Sequence, residues 1–176
     1  MLVKVKPNEF QILRELEVET YGDTFGPYIA DADMEDYYQT VLSLEQIQKD
    51  LADPESETYF VLDHNQEICG FLKFNWGKAQ TEPVEMDNAF EIQRIYVKNE
   101  HHGKGYGKEM FTFALKEAQK RGFDWAWLGV WERNYKAQNF YKQFGFERFS
   151  EHHFITGETV DTDWLLRKHL KENPQA

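Results

Sequence analysis

Cysteine is nearly absent from this sequence of 176 residues, which contains only Cys69. One cysteine cannot form a disulfide within the chain, so we expect a cytoplasmic protein whose fold depends on its core. Cys69 lies in an apolar stretch beside Gly70, which favours a buried thiol over a nucleophile. The sequence also lacks any run of about eighteen apolar residues, so no membrane-spanning helix is expected.

Positive charge and proline are scarce as well. Lysine and arginine number 20 against 31 acidic residues, which gives a net charge of −11. Nucleic-acid binding needs a basic face, so DNA and RNA are not expected as partners, whereas a cationic substrate is permitted. The chain has 5 prolines, no repeat and no low-complexity tract, and 41% of its residues are hydrophobic. We therefore expect one globular domain over residues 1–176 and leave a homodimer open.

Apolar periodicity predicts strands that alternate with helices. The predicted strands are Leu2 to Val5, Thr58 to Asp63, Glu67 to Trp76, Phe90 to Val97, Trp125 to Trp131, and a hairpin of Glu147 to Phe154 and Val160 to Arg167 joined through Gly157. The predicted helices are Phe10 to Tyr21, Met34 to Leu42, Leu44 to Leu51, Gly107 to Arg121 and Tyr135 to Phe144, with a turn over Gly22 to Pro27 and a loop over Lys78 to Asn88. Repeated strand–helix–strand units favour an α/β fold with a mixed sheet and helices on both faces.

A glycine-spaced run between a predicted strand and a predicted helix is the clearest functional signal. It comprises His102, Gly103, Lys104, Gly105, Tyr106, Gly107 and Lys108. A loop that leads into a helix N-terminus can bind an anion through backbone N–H groups, and glycine lets a phosphate approach closely. A Walker A loop needs four residues before its Gly-Lys pair and then Ser or Thr, but three residues intervene here and Glu109 follows. A Rossmann loop needs Gly-x-Gly-x-x-Gly, whereas the spacing here is Gly-x-Gly-x-Gly.

Two blocks resemble the conserved motifs of the GNAT superfamily of N-acetyltransferases. The first runs from Arg94-Ile95-Tyr96-Val97 through His102-x-x-Gly105-x-Gly107 and is similar to motif A, Arg/Gln-x-x-Gly-x-Gly/Ala, with His102 in place of Arg or Gln. The second, Asn134-x-x-Ala137-x-x-Phe140-Tyr141-x-x-x-Gly145-Phe146, resembles motif B. The resemblance implies a twisted, mostly antiparallel sheet of about seven strands, with a splay between the strands Phe90 to Val97 and Trp125 to Trp131. It also implies acetyl-CoA as cosubstrate, bound without a metal.

The same resemblance implies roles for individual residues. Backbone N–H groups from Gly103 to Lys108 would face the coenzyme A pyrophosphate, and the backbone of Ile95, Tyr96 and Val97 would bind the pantetheine arm. Asn134 matches a position that contacts the coenzyme, and Tyr141 matches a tyrosine that protonates the departing thiolate. The residues alone leave two other interpretations open, since Asn134 also fits a helix N-cap and Tyr141 also fits a core stripe.

The resemblance reaches one branch, the PaiA-type bacterial spermidine/spermine acetyltransferases. Residues that carry it are Glu91 to Val97, Trp127 to Asn134, and the tail His153, Phe154, Gly157 and Asp163. It implies a small-molecule amine acceptor, and we expect a polyamine such as spermidine or spermine. Aromatic residues that could contact a cationic chain are Tyr28, Tyr37, Tyr38 and Trp76.

An alkylammonium is a free amine in only about one molecule in 2,500 at pH 7, so the reaction needs a base. Glu91 on the central strand is our candidate general base, acting directly or through water, although a strand carboxylate paired with Arg94 or a lysine fits equally. A backbone N–H of the central strand would hold the oxyanion, and the resemblance implies that this is the N–H of Val97. The pairs His101-His102 and His152-His153 lack a metal-binding spacing, so no metal is expected. A peptide or protein N-terminus as acceptor, and a non-catalytic acyl-CoA sensor, stay open as alternatives.

Overall fold

Seven strands form one sheet in a computed structural model that describes residues 1–156 and 158–171. The strands are β1 (Leu2–Lys4), β2 (Ser56–Leu62), β3 (Ile68–Trp76), β4 (Ala89–Val97), β5 (Trp125–Trp131), β6 (Glu147–Thr156) and β7 (Thr159–His169). Their order is β1-β2-β3-β4-β5-β7-β6, and every neighbouring pair is antiparallel except β4 and β5. The predicted mixed, mostly antiparallel sheet is therefore confirmed; the predicted hairpin turn at Gly157 lies outside the described residues.

Five helices flank the sheet. They are α1 (Phe10–Phe25), α2 (Asp31–Gln39), α3 (Leu44–Ala52), α4 (Tyr106–Lys120) and α5 (Tyr135–Gln143). One face of the sheet packs against α4 and α5 through Phe111 and Tyr141, and we call it the α4 face. The other packs against α1 and α3 through Leu13, Leu16 and Ile47, and we call it the α1 face. No helix in the described ranges is long and apolar enough to cross a membrane.

Helix α1 is longer than its pattern predicted. We expected it to end at Tyr21 before a glycine turn, but it runs through Gly22 to Phe25, and Pro27 follows two residues later. Glycine inside a helix is tolerated at a cost, and here its missing side chain leaves room for Tyr38, whose hydroxyl would lie 2.9 Å from a Cβ at position 22. The predicted turn therefore begins four residues late.

The central parallel pair separates soon after it forms. Strands β4 and β5 are in register only at Ala89 with Trp125, Phe90 with Ala126 and Glu91 with Trp127. Beyond Glu91, β4 continues beside β3 to Val97, while β5 continues beside β7 to Trp131. A slot therefore opens through the middle of the sheet, as the predicted splay requires.

A bulge in β4 sets which side chains reach this slot. The β3–β4 register shifts between Lys73, opposite Arg94, and Phe74, opposite Ile92, so Gln93 is the extra residue. An extra residue resets the alternation of side chains between the two faces. Ile95 therefore joins Ile92 on the α4 face, while Tyr96 packs on the α1 face.

Candidate functional site

A cavity of about 850 Å³ occupies the slot between β4 and β5. This volume suits a small-molecule ligand or cofactor. Its lining includes Tyr21 and Tyr37 from the α1 face and Tyr141 from the α4 face, so the cavity passes from one side of the sheet to the other. Two chemically different groups can therefore meet in it from opposite faces.

The glycine loop forms one end of this cavity. Gly103 and Gly105 have φ of 76° and 87°, in the left-handed region that favours glycine. Gly105 is the N-cap of α4, and no atom lies within 4 Å of the position a Cβ would take at Gly103, Gly105 or Gly107. The first-turn N–H groups of α4 have no partner within the helix, so the loop presents donors and open space suited to an anion.

His102 stabilises the start of this loop. Its Nε2 lies 2.7 Å from the carbonyl oxygen of Val97. A carbonyl oxygen only accepts, so Nε2 carries the proton and donates. The side chain that replaces the usual Arg or Gln therefore ties the loop to the end of β4.

Tyr141 is buried beneath the cavity on α5. Its ring lies 5.2 Å from that of Phe111 between ring centres, and 8% of the residue is exposed. Burial alone raises the pKa of its hydroxyl above the ordinary value. A tyrosine in this state stays protonated at neutral pH and can donate a proton.

Asn134 is both a helix cap and a cavity residue. Its Oδ1 accepts from the backbone N–H of Ala137 at 3.1 Å at the start of α5. It also lines the cavity, where its side-chain amide keeps donors for a ligand. The two interpretations that the sequence left open are therefore compatible.

Glu91 lies where β4 and β5 part, and 3% of it is exposed. Its carboxylate accepts from Asn75 Nδ2 at 2.9 Å, from Thr81 N at 3.0 Å and from the Thr81 hydroxyl. Burial raises its pKa, and these hydrogen bonds and Lys73 oppose that effect in part. Among the described residues Glu91 forms no salt bridge with Arg94 or a lysine. Lys73 pairs with Asp50 at 2.8 Å, and the Arg94 guanidinium approaches the Tyr37 hydroxyl at 3.5 Å.

Acidic and aromatic residues line the α1 side of the cavity. Tyr21 and Tyr37 stack with ring centres 4.1 Å apart, and the Tyr21 hydroxyl is 3.1 Å from that of Thr156. Burial, followed by the charges of Asp161 and Glu82, raises the pKa of Asp163 to about 7. This side of the cavity thus offers rings and carboxylates to a ligand.

Most predicted site residues meet in the cavity. Its lining includes Glu91, Ile95, Tyr96, Val97, His102, Gly103, Gly105, Tyr106, Gly107, Lys108, Asn134 and Tyr141, but not Lys104. Of the four aromatic residues proposed for the acceptor, only Tyr37 lines it. Trp76 packs near Phe74 and Phe123 on the α4 face, and Tyr28 packs on Trp131.

Several cavity residues were not singled out for the acceptor end. They are Tyr21, Thr81, Glu82, Arg94, Trp131 and His152, with Asp163 noted only as part of a pattern. They come from α1, a loop and four strands, and no local spacing links them.

Outside the acceptor end, Asp63, Cys69 and His101 place atoms that could act as metal ligands within 4.8 Å of one another. Asp63 Oδ1 there accepts from the backbone N–H groups of Asn65 and Glu67.

Comparison with known proteins gives one family. The model of the acetyltransferase (GNAT) family matches residues 11–146. An uncharacterised N-acetyltransferase from Lactobacillus delbrueckii subsp. lactis is 36% identical over 173 residues, which cover 96% of each chain. An uncharacterised N-acetyltransferase from Mycobacterium tuberculosis is 24% identical over 158 residues, which cover 90% of this chain and 96% of that protein.

Solved structures share the fold at low sequence identity. The PaiA N-acetyltransferase from Thermoplasma acidophilum, in complex with coenzyme A, has a TM-score of 0.75 and 20% identity over 96% of this chain and 98% of that one. The spermidine/spermine N-acetyltransferase SpeG from Vibrio cholerae, in complex with manganese ions, has a TM-score of 0.68 and 17% identity over 97% and 92%.

Proposed function

Because the chain belongs to the GNAT family of N-acetyltransferases, we propose that it transfers the acetyl group of acetyl-CoA to a primary amine of a polyamine such as spermidine or spermine. The predicted family is confirmed, and the acceptor is the proposal. The observation that carries it is the cavity, which joins an open anion-binding loop on one side of the sheet to carboxylates and aromatic rings on the other.

The coenzyme would enter from the glycine loop. The N–H groups of residues 103–108 would bind its pyrophosphate, Lys108 would add a positive charge, and Asn134 would donate to its arm. The pantetheine would lie along Ile95 to Val97, where β4 has no strand neighbour on the β5 side. The coenzyme A complex of the PaiA relative supports this choice of cosubstrate.

The acceptor would enter from the α1 face. Carboxylates there suit an ammonium group, and the net charge of −11 favours the approach of a cation. The SpeG structure, which is a spermidine/spermine N-acetyltransferase of the same fold, supports a polyamine. The resemblance of this chain's motifs to PaiA-type spermidine/spermine acetyltransferases supports it as well.

The reaction would proceed by direct attack. Glu91, through a water molecule, would take a proton from the ammonium, and the free nitrogen would then attack the thioester carbonyl carbon. Val97 N–H would stabilise the oxyanion. As the C–S bond breaks, Tyr141 would give its proton to the sulfur, and the proton that the new amide nitrogen loses would restore the tyrosine.

The first test is free-thiol release from acetyl-CoA in the presence of spermidine, spermine, aminosugars, amino acids and peptides. We expect turnover with the two polyamines at least about tenfold above the other amines, because only they are flexible polycations that match an acidic cavity. A higher turnover with a peptide would show that the acceptor is a peptide or protein amine rather than a polyamine. If the chain bound coenzyme A but released no thiol from acetyl-CoA with any of these amines, it would be a non-catalytic sensor, and the proposal would be contradicted.

Gly107→Val tests the anion loop. Position 107 has helical backbone and open space, and valine is no worse than glycine in a helix, so the melting temperature should not fall. The added side chain would occupy the space of the pyrophosphate, so the Kd of coenzyme A measured by calorimetry should rise about tenfold or more. Gln119→Val, at an exposed position of the same helix, is the matched control. An unchanged Kd for Gly107→Val would refute the loop assignment.

Tyr141→Phe tests the general acid. The change removes one hydroxyl, so the fold and the Kd of acetyl-CoA should be kept. Turnover should drop about a hundredfold or more, because the thiolate would then leave without its proton. Steady-state kinetics and calorimetry on the same preparation separate the two effects. Full turnover in the variant would exclude the acid role.

Glu91→Gln tests the base by its pH dependence. In the wild type, kcat/KM should fall as acid protonates Glu91, beginning above the usual carboxyl range because the pKa is raised. The kcat/KM of the variant should be about a hundredfold lower at pH 7 and should then rise about tenfold per pH unit as the ammonium loses its proton to solvent, up to a pH near 10. If the pH dependence of kcat/KM were the same in the variant and the wild type, Glu91 would not be the base.

A further inference from the structure

Asp163 is a partly buried carboxylate of the cavity that has no hydrogen-bond or salt-bridge partner among the described residues. Asp163 lies on β7, with its backbone opposite Trp131 of β5 and His152 of β6. Burial and two like charges are the causes of its raised pKa, with no hydrogen bond or cation among them. By contrast, its neighbour Asp161 accepts from Trp131 Nε1 at 2.8 Å and lies 3.4 Å from the Arg133 guanidinium. Because a desolvated carboxylate without a partner is costly, a cationic ligand would stabilise Asp163.

A glycine opens the space beside this carboxylate. Gly129 is the one exposed position of β5, and a Cβ there would lie 3.3 Å from Asp163 Oδ2. Gly129 and Asp163 both line the cavity. With no side chain at position 129, a ligand group can reach the carboxylate across the strand.

The charged groups around Asp163 come from each neighbouring element. Asp161 shares its strand, Glu82 approaches from the loop between β3 and β4, and Tyr21 faces it from α1. His152 of β6 lies with its Nδ1 3.0 Å from Glu82 Oε1. The guanidinium that lines the cavity, Arg94, interacts with Tyr37 and Glu17 instead. A cation beside Asp163 would therefore meet mainly acidic groups.

We propose that Asp163 is a specificity-determining residue that binds the second, non-reacting ammonium of a diamine or polyamine acceptor. The inference rests on the proposed function, because it assumes an amine acceptor in this cavity. Glu91 is level with Trp127 of the neighbouring strand, and Gly129 lies two residues farther along β5, so the backbones at Glu91 and Gly129 are about 8 Å or more apart. That separation lets the reacting nitrogen lie near Glu91 while a second nitrogen of a short diamine pairs with Asp163.

Asp163→Asn keeps the shape of the side chain and removes its charge. The probes are 1,4-diaminobutane and 4-amino-1-butanol, which match in length but differ in whether the far end is an ammonium or a hydroxyl. At saturating acetyl-CoA, the wild type should favour the diamine in kcat/KM by about tenfold or more, mainly through KM. The variant should lose this preference while its KM for acetyl-CoA and its melting temperature stay unchanged.

The pH dependence gives a second readout. Asp163 binds an ammonium only when ionised, so the wild-type preference should decline as the pH falls through about 7. The variant should show no such decline. Because every other charged group near the site, His152 included, is present in both proteins, the difference between them isolates Asp163. Glu151→Gln, which removes an exposed carboxylate of β6, controls for net charge and should behave as the wild type.

The outcomes separate this inference from the proposed function. If the wild type acetylates both amines and Asp163→Asn keeps the wild-type preference, the assignment of Asp163 is wrong while the N-acetyltransferase function stands. If the wild type prefers neither amine, Asp163 does not bind the second ammonium group, and the assignment is wrong. If it releases no thiol with either amine or with any polyamine, the proposed acceptor class fails and Asp163 loses its role with it.

Discussion

The separation of β4 from β5 after three residue pairs is the constraint on which the site depends. Two neighbouring parallel strands normally form backbone hydrogen bonds along their whole length. Beyond Glu91, however, β4 pairs only with β3 and β5 pairs only with β7. The gap exposes a stretch of β4 backbone that needs hydrogen-bond partners. It also connects the two faces of the sheet in one cavity, so the proposed base Glu91 on the α1 face and the proposed acid Tyr141 on the α4 face can serve one reaction, the first at the amine nitrogen and the second at the sulfur.

Two carboxylates in this cavity differ because their surroundings differ. Glu91 is held by Asn75 and Thr81, so its position is fixed and it can act on a proton through water. Asp163 has like charges near it and lines the cavity beside Gly129, so a cationic ligand would give it a partner. In our proposals a carboxylate thus serves proton transfer at one point of the cavity and substrate recognition at the other.

The parts of the site that the sequence predicted are local in the chain. The glycine loop, the Asn134 cap and the Tyr141 stripe each depend on residues a few positions apart, so their spacing is visible without a structure. The acceptor end depends on residues that are distant in the chain: Asn75 of β3 donates to Glu91 of β4, and Asp163 of β7 lies beside Gly129 of β5. The apolar periodicity of a single strand does not predict which residues of two strands lie opposite each other. The bulge at Gln93 also changes which side chains of β4 share a face. We expected Trp76 at the acceptor end, but it lies on the α4 face with Phe74.

The most direct test of the central claim is a coenzyme A titration followed by NMR of the backbone amides. The account predicts that the largest shifts fall on residues 103–108 and on Ile95, Tyr96 and Val97, with smaller shifts at Asn134 and Tyr141 and little change on β1 and α3. Shifts that spare both the glycine loop and the free edge of β4 would show that the coenzyme does not bind in the gap between β4 and β5, and would contradict the account.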